Sequence, residues 1–477
     1  MPDVSTQYGV AQRGSADAAR RRPQPDHAAR YRRRSRLADL LVAAVWSSGG
    51  LAVGLFLLAG GLTQFQSLSG AVTALGIVSG LLGTDFILVM LILAARVPVI
   101  DRAFGHDRAM ALHRALGKPS LYLLLGHGAL LLIGYGMAAG INPIAEIASM
   151  WAIPDMPLAF VGLGLLIVVV VTSLVAVRKK FSYEGWHLVH LLSYVAVLVA
   201  VPHQLSVGGI FAAGSFERAY WICLYVLAFG AIAFYRFAEP VISSLRHRIR
   251  VEKVETIAPG VVSIHLSGRR LRALGSIGGQ YLVWRFWTGT TWWHSHPISL
   301  SSVPTERSAR ITVRDLGTGS NALARVPAGT RVSIEGPYGL FTDTARTAPY
   351  LAVLVAGIGV TPVRAMLEHS NLAPGEATIA LRASDESETY LWDEIEELAH
   401  RKGAQVYTLL GPRSRTRRPW LPAHDAERGV SLRSMFPRLD DSDLYLCGPT
   451  AWLDIAEAEA KAAGMPAHRI HAERFDW

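Results

Sequence analysis

Four histidines pose the first chemical question of this chain. His113 and His127 stand fourteen positions apart in "LHRALGKPSLYLLLGH", and His190 and His203 thirteen apart in "WHLVHLLSYVAVLVAVPHQL". Both stretches are apolar enough for a bilayer, where an ionisable side chain is costly and marks a functional site by default. On a helix, fourteen residues rise roughly 21 Å and thirteen roughly 19–20 Å. Two parallel helices of this kind each present an inner and an outer imidazole at matching depths. Imidazole is a usual axial ligand of haem iron, so the spacing predicts two bis-histidine haems, His113 with His190 and His127 with His203. The angular fit is uneven. Fourteen residues keep one pair within about 40° of a face, whereas thirteen leave the other about 140° apart on an ideal helix. Pro202, directly before His203, removes a backbone hydrogen bond and can kink the helix there. His187 competes with His190 for the inner position, with a poorer depth match to His113.

A second group of residues suits dinucleotide chemistry. "GIGVTP" places Gly357 and Gly359 after a buried strand and before a helix, where bare backbone N–H groups can approach a pyrophosphate. "HSHPISLSS" puts His296, Pro297 and Ser299 on a strand against which a flavin ring could lie. "LYLCGP" ends the last such strand with Cys447, Gly448 and Pro449 at a carboxyl edge, where ligands of open α/β sheets bind. In "GPRSRTRRPW", Arg413, Arg415, Arg417 and Arg418 follow one strand, and Arg382 ends the strand before it. Guanidinium suits a 2′-phosphate and favours NADPH; nearby Asp385 suits the free ribose hydroxyl of NADH. Two cysteines, Cys223 and Cys447, are too few for a disulfide framework or a Cys-ligated iron–sulfur cluster.

These residues need two kinds of scaffold. Residues 40–84 hold no charged side chain, whereas the first 36 residues hold nine arginines. The second feature predicts a disordered basic tail over 1–36, the first a membrane half. Six apolar spans, about 40–61, 70–95, 119–141, 157–177, 185–205 and 219–238, are each long enough for roughly 30 Å of hydrocarbon. Linkers 96–118 and 178–184 are basic and the alternate ones are not. The positive-inside bias therefore places both termini in the cytoplasm and makes spans three and five parallel. The helix of span three must start a turn or two early to include His113, despite Pro119. The net charge of +10 clusters beside apolar spans, which points to the membrane surface and not to nucleic acid. Asp85, mid-span in "LLGTDFILVM", is either a proton-handling carboxylate or an acid hydrogen-bonded within the bundle. After Arg250, short alternating runs predict a small antiparallel barrel, and from Tyr350 strands alternate with helices in a parallel α/β pattern.

The order "GGQY", "HPIS", "VRDLGTGSNAL", "EGPYG", "GIGVTP", "LYLCGP" and a terminal aromatic resembles the ferredoxin–NADP reductase superfamily. Behind a six-helix bundle with paired histidines, it is similar to the ferric reductase and NADPH oxidase family. The resemblance implies a multidomain chain: tail 1–36, transmembrane haem domain 37–243, FAD-binding barrel 244–347 and NAD(P)-binding α/β domain 348–477. It implies that Tyr281 and the His296-Pro297-Ile298-Ser299 strand cradle the isoalloxazine, with Ser299 near its reactive nitrogen. Arg314 and the Gly317-Thr318-Gly319-Ser320 turn would hold the flavin pyrophosphate. Gly357, Gly359, Thr361 and Pro362 would bind the nicotinamide dinucleotide, Arg382 and Arg413 its 2′-phosphate. Cys447, with Gly448 and Pro449, would sit by the nicotinamide. Trp477 would stack on the flavin until displaced, with Phe475 as the other aromatic available. His-Pro-Ile-Ser departs from the reductase branch toward the oxidase branch. The expected activity is transfer of electrons from cytosolic NAD(P)H through FAD and two haems b, across the plasma membrane, to ferric iron or dioxygen. A conduit for protons or ions with a regulatory nucleotide-binding domain is the alternative, and Asp85 is its best support.

Overall fold

The computed structural model describes residues 27–475, apart from residues 175–176, 178, 181–182, 208, 290–291, 316 and 416–417. Trp477, Arg417 and residues 1–26 of the basic tail therefore lie outside the described residues, and of Thr318 only the backbone is described. Six helical spans among them are long and apolar enough to cross a membrane. They are His27–Leu58 (α1), Leu68–Ala94 (α2), His106–Ala139 (α4, after the short α3, Pro98–Phe104), Met156–Ser173 (α6, after α5, Pro143–Trp151), Gly185–Ser206 and Phe216–His247. The fifth is two helices, Tyr183–Val199 (α7) and Val201–Ser206 (α8). The sixth is Phe216–Ile232 (α9), a π-helical stretch Ala233–Ala238, and Glu239–His247 (α10).

Local chemistry sets the helix ends. Ser67, Asn142 and Ser215 each accept a hydrogen bond from a backbone N–H three residues on, which satisfies one orphan donor of a first turn. The chain leaves helical hydrogen bonding at Ala200, where Pro202 cannot donate, and this break lets His203 point independently of His190. Helix α4 runs through Pro119 and begins at His106, so His113 lies inside it. Helix α1 begins at His27, ten residues ahead of the expected boundary at 37. Its charged first turns are tied down: His27 Nε2 sits 3.2 Å from Arg346 Nη2, and the Tyr31 ring packs on His468 at 5.5 Å. The expectation of disorder over residues 27–36 is thus corrected, because these residues find partners on the soluble half.

Helices α2 and α4 pack closely because Gly76, Gly80 and Gly83 leave α2 without side chains on the shared face. A Cβ at Gly83 would come within 3.0 Å of Leu124, and one at Gly80 within 2.4 Å of the His127 ring. Small residues at such contacts let backbones approach in a bilayer, where apolar burial between helices gives little drive.

The described residues of the soluble half form eleven strands: Arg250–Ala258 (β1), Val261–Ser267 (β2), Tyr281–Phe286 (β3), His296–Ser299 (β4), Ser308–Arg314 (β5), Val332–Tyr338 (β6), Tyr350–Ala356 (β7), Ala377–Ala383 (β8), Gln405–Leu410 (β9), Ser442–Pro449 (β10) and Ile470–Phe475 (β11). The antiparallel sheets β1-β2-β5 and β4-β3-β6 are joined by the bridges Leu300↔Ile311 and Arg250↔Arg331, which close them into a six-stranded barrel. Alternation fills it: Leu282, Trp284 and Phe286 of β3 point inward against Ile264, Leu266 and Ile311, all fully buried. Strands β11-β10-β7-β8-β9 form a five-stranded parallel sheet with helices on both faces. Its central strands β7, β8 and β10 are nearly wholly buried and mostly apolar, as a sheet covered on both sides requires.

Candidate functional site

A cleft opens where the barrel meets the carboxyl edge of the parallel sheet. Ile298, Ser299, Thr312, Val313, Arg314, Ile358, Thr361 and Phe475 line it. Ser299 pairs with Tyr281 across β3 and β4, and its buried hydroxyl has no hydrogen-bond partner among the described residues. His296 Nε2 is likewise buried and unpartnered, and burial, with His294 beside it, lowers the ring's pKa to about 4. Such orphaned polar atoms carry an unmet desolvation cost that a polar ligand relieves. Pro297 is exposed and Ile298 buried, so the strand offers one edge to the cleft.

The next turn follows β5. Asp315 accepts hydrogen bonds from Gly317 N, Ser320 Oγ and Asn321 Nδ2, which shapes Gly317–Ser320 into the start of the short helix Thr318–Leu323. The His296 ring lies against Gly319, 3.5 Å from where a Cβ would stand. Arg314 is committed to a partner: its Nη2 lies 3.0 Å from Glu388 Oε1, so an incoming anion must share it.

On the sheet side, Gly357 (φ +55°) turns the chain out of β7, and Gly359 presses on the end of β10. A Cβ at Gly359 would fall 2.5 Å from the Cys447 carbonyl oxygen, so no other residue fits without moving β10. Thr361 Oγ1 donates to Ile358 O and Pro362 is buried, which fixes the first turn of the helix Val360–His369. That N-terminus offers the positive end of a helix dipole to an anion. Cys447 is fully buried; burial, and secondly Glu473, push its thiol well up, so it stays protonated. Gly448 fits beneath Trp452 and Ala356, and exposed Pro449 stands opposite Phe475.

Two residues of this site escaped sequence reasoning. Glu473 is paired with Cys447 by the β10–β11 register, and burial, then Asp107, push its carboxyl up to about 8. Asp107 comes from the first turn of α4. Because the folded carboxyl titrates above its unfolded value of about 4.3, Glu473 favours the folded state fully at acidic pH, and that share is lost as pH rises through about 8. Glu473→Gln is accordingly expected to match the wild type in thermal unfolding at pH 4 and to exceed it at pH 9. Equal pH dependence in both would show that Glu473 is ionised in the folded protein.

The start of α4 meets the barrel at the same place. The His106 ring stacks on Tyr338 at 5.7 Å, and Arg96 covers the other part of that ring at 5.3 Å. Arg96 and Arg236 both bind Glu335 Oε2, at 2.8 and 3.0 Å. Seven residues separate His106 from His113, roughly 10 Å of helix.

In the bundle, the His113 and His190 rings face each other with centroids 6.1 Å apart. Two imidazoles coordinating one metal ion from opposite sides, with bonds of about 2 Å, hold their centres roughly 6 Å apart. His113 Nδ1 lies 3.0 Å from Met90 O and His127 Nδ1 2.9 Å from Gly76 O, both carbonyls of α2. A hydrogen bond at Nδ1 leaves Nε2 as the ligating nitrogen and fixes the ring. His190 is stacked by Trp186 at 5.0 Å, whereas His187 is exposed beyond it. His203 lies within electrostatic reach of His127. Its short helix is held by Gln204, which accepts from Trp221 Nε1 at 2.7 Å and Tyr225 OH at 3.1 Å.

Fold and site define a flavin- and dinucleotide-binding reductase module mounted on a histidine-bearing membrane bundle. Residues 79–201 match the family described as ferric reductase like transmembrane component. Ferredoxin–NADP reductase B of Sorangium cellulosum is 33% identical over 170 residues, 34% of this chain and 68% of that protein. A flavohemoprotein of Xylella fastidiosa is 31% identical over 207 residues, 41% of this chain and 50% of the relative, so the chain spans half that relative's length. The FAD/NAD binding domain of a nitric oxide dioxygenase from Vibrio cholerae aligns at TM-score 0.38 and 22% identity, over 48% of this chain and 98% of that one. The reductase module belongs to the ferredoxin–NADP reductase superfamily, and the ferric reductase like transmembrane component ahead of it gives the chain the two-part make-up expected of the ferric reductase and NADPH oxidase family.

Proposed function

We propose that this protein oxidises NAD(P)H on the face of the membrane that carries the reductase module and delivers the electrons to ferric iron or dioxygen on the other face. FAD in the cleft would turn the two-electron hydride of the nicotinamide into single electrons, and two haems b would carry them across. The observation that carries this reading is His113 opposite His190, on a helix whose first turn packs against the flavin barrel. His113 and His190 would hold the inner haem, His127 and His203 the outer. Basic linkers and the reductase module would share one face, which the positive-inside bias makes cytoplasmic; both termini would lie there, and the bilayer would be the plasma membrane.

Within the module, Tyr281, the His296–Ser299 strand and the Gly317–Ser320 turn would seat the flavin. Ser299 offers its unpartnered hydroxyl to the ring, and Phe475 supplies an apolar wall where the sequence first suggests Trp477. Cys447, held as a thiol, and Glu473, held as an acid at neutral pH, would border the nicotinamide without adding charge. The dinucleotide phosphates would meet the helix after Gly359.

The purified protein is expected to show haem absorbance and to oxidise NADPH when dioxygen and chelated ferric iron are offered in parallel. A colourless protein would end the proposal. Docking of the two halves can be tested separately. Glu335→Ala leaves Arg96 and Arg236 without their shared carboxylate, and removing one partner of a largely buried ion pair is strongly destabilising. Flavin reduction by NADPH should persist while haem reduction slows by roughly tenfold or more, read by stopped-flow absorbance at the two chromophores. Equal rates in variant and wild type would show that Glu335 does not align the halves.

A further inference from the structure

Asp85 stands on the face of α2 that meets α1 and α9, and its side chain is 1% exposed. Ser48 of α1 donates its hydroxyl to Asp85 Oδ1 at 2.6 Å, while Oδ2 is buried with no partner among the described residues. The Tyr220 hydroxyl of α9 lies 2.9 Å from Ser48 Oγ and donates to Ser48 O at 3.2 Å. The titratable neighbours are Tyr220 and, beside it on α9, Cys223; α1 contributes Ser48 and the backbone at Gly49. No cation is among them. A carboxylate taken out of water with one hydrogen bond and no counter-charge is heavily penalised, whereas the neutral acid is tolerated.

Its depth is as telling as its surroundings. Met90, whose carbonyl meets His113, is five residues after Asp85. Gly80, whose missing side chain makes room for His127, is five residues before it. Asp85 therefore lies between the two histidine levels and nearer that of His113, since Gly76, whose carbonyl meets His127, is nine residues before it. The π-helical stretch that continues α9 carries Arg236 to the barrel, so Tyr220, four residues from the start of α9 at Phe216, lies near the face opposite the reductase module.

We propose that Asp85 is a proton-binding site inside the membrane domain, loaded from the face opposite the reductase module through the hydroxyls of Tyr220 and Ser48. A proton arriving at the Tyr220 oxygen releases that residue's own hydroxyl proton to Ser48 Oγ. Ser48 in turn passes its hydroxyl proton to Asp85 Oδ1. One proton leaves water, the carboxylate becomes a neutral acid, both hydroxyls are restored, and no electron moves. Loading removes one negative charge from between the two histidine levels, which offsets one electron held there. That charge-balancing role rests on the haem reading above; the proton site itself does not.

Infrared spectroscopy of the full chain in lipid nanodiscs tests this. A protonated-carboxyl C=O band is expected at neutral pH, shifting to lower frequency in D2O and missing in Asp85→Asn. Ser48→Ala should move the band to higher frequency, because the acid's hydroxyl at Oδ1 loses its hydrogen-bond acceptor. Tyr220→Phe should keep the band but slow its hydrogen–deuterium exchange by about 100-fold, the usual weight of a positioned proton-transfer group. An unchanged band in Asp85→Asn would overturn the site, and unchanged exchange in Tyr220→Phe would overturn the route. If Asp85→Asn fails to fold, the band position in Ser48→Ala decides alone: no shift means that Asp85 is not the protonated acid. Haem absorbance on the same samples separates the two ideas, since a colourless protein with the band intact would sink the haem reading and leave the proton site standing.

Discussion

His127→Leu should bind one haem where the wild type binds two, and reduction of the acceptor on the far face should fall to background. Leucine fills a similar volume but offers no nitrogen to iron, and it breaks the bond from the ring to Gly76 O that aims His127. The small-residue contact at Gly80 persists, so α2 and α4 stay packed and the bundle survives. His203 alone cannot complete a bis-histidine site. The inner pair, roughly 21 Å away along the helix, keeps both ligands, so NADPH should still reduce the remaining haem. His190→Leu gives the mirror result: one haem remains, now the outer one, and NADPH should no longer reduce it. Haem-to-protein ratios by pyridine haemochrome, followed by anaerobic reduction with NADPH, distinguish these outcomes. Two haems retained in both variants would refute the pairing of His113 with His190 and His127 with His203.

The histidines were legible because a bilayer forbids casual polarity, so each ionisable residue in a span stands out from sequence alone. The same constraint revealed the six spans and their alternation. The angular mismatch of His190 and His203 was also legible, and Pro202 marked the place where the structure resolves it by ending α7 at Val199. Glu473 could not be read. Nothing in "ERFDW" signals a functional acid, and its meaning arises only when β11 lies parallel to β10 and sets it opposite Cys447. Asp107, His106 and Glu335 were hidden for a like reason, since their roles exist only where the membrane and soluble halves touch. The charge at residues 27–36 reads as disorder when its partners, Arg346 and His468, lie more than three hundred residues away. Within the soluble half, strands were recognisable by alternation or by apolar runs, whereas closure of the barrel depends on two isolated bridges that leave no pattern in the chain.

Arg382→Ala should raise the Michaelis constant for NADPH by about 10- to 150-fold and leave that for NADH within a factor of about three, the worth of a charge-assisted phosphate contact being roughly 1.5–3 kcal/mol. Arg382 ends β8 at the ligand edge of the sheet, 3% exposed, with Nε and Nη2 lacking partners among the described residues. Burial, and next the nearby Arg413, lower its pKa against the opposing pull of Glu388 and Asp425, so two guanidinium groups lie close enough to repel. A 2′-phosphate relieves both the repulsion and the unmet donors. Asp385, the residue that would favour a free ribose hydroxyl, is spent on a turn, where its Oδ1 accepts from Ser387 N at 2.8 Å. Arg413 is exposed and holds Pro419 O with Nε alone, which leaves its terminal nitrogens for the phosphate; Arg413→Ala should act in the same direction with smaller effect. Arg418 provides the contrast. It binds Glu459 and the carbonyls of Gly429 and Val430, so it braces the loop from within. Arg418→Ala should lower the unfolding temperature and affect both nucleotides alike. Steady-state kinetics with both donors on all three variants decide the matter, and equal losses for NADPH and NADH in Arg382→Ala would move the phosphate site elsewhere or make NADH the donor.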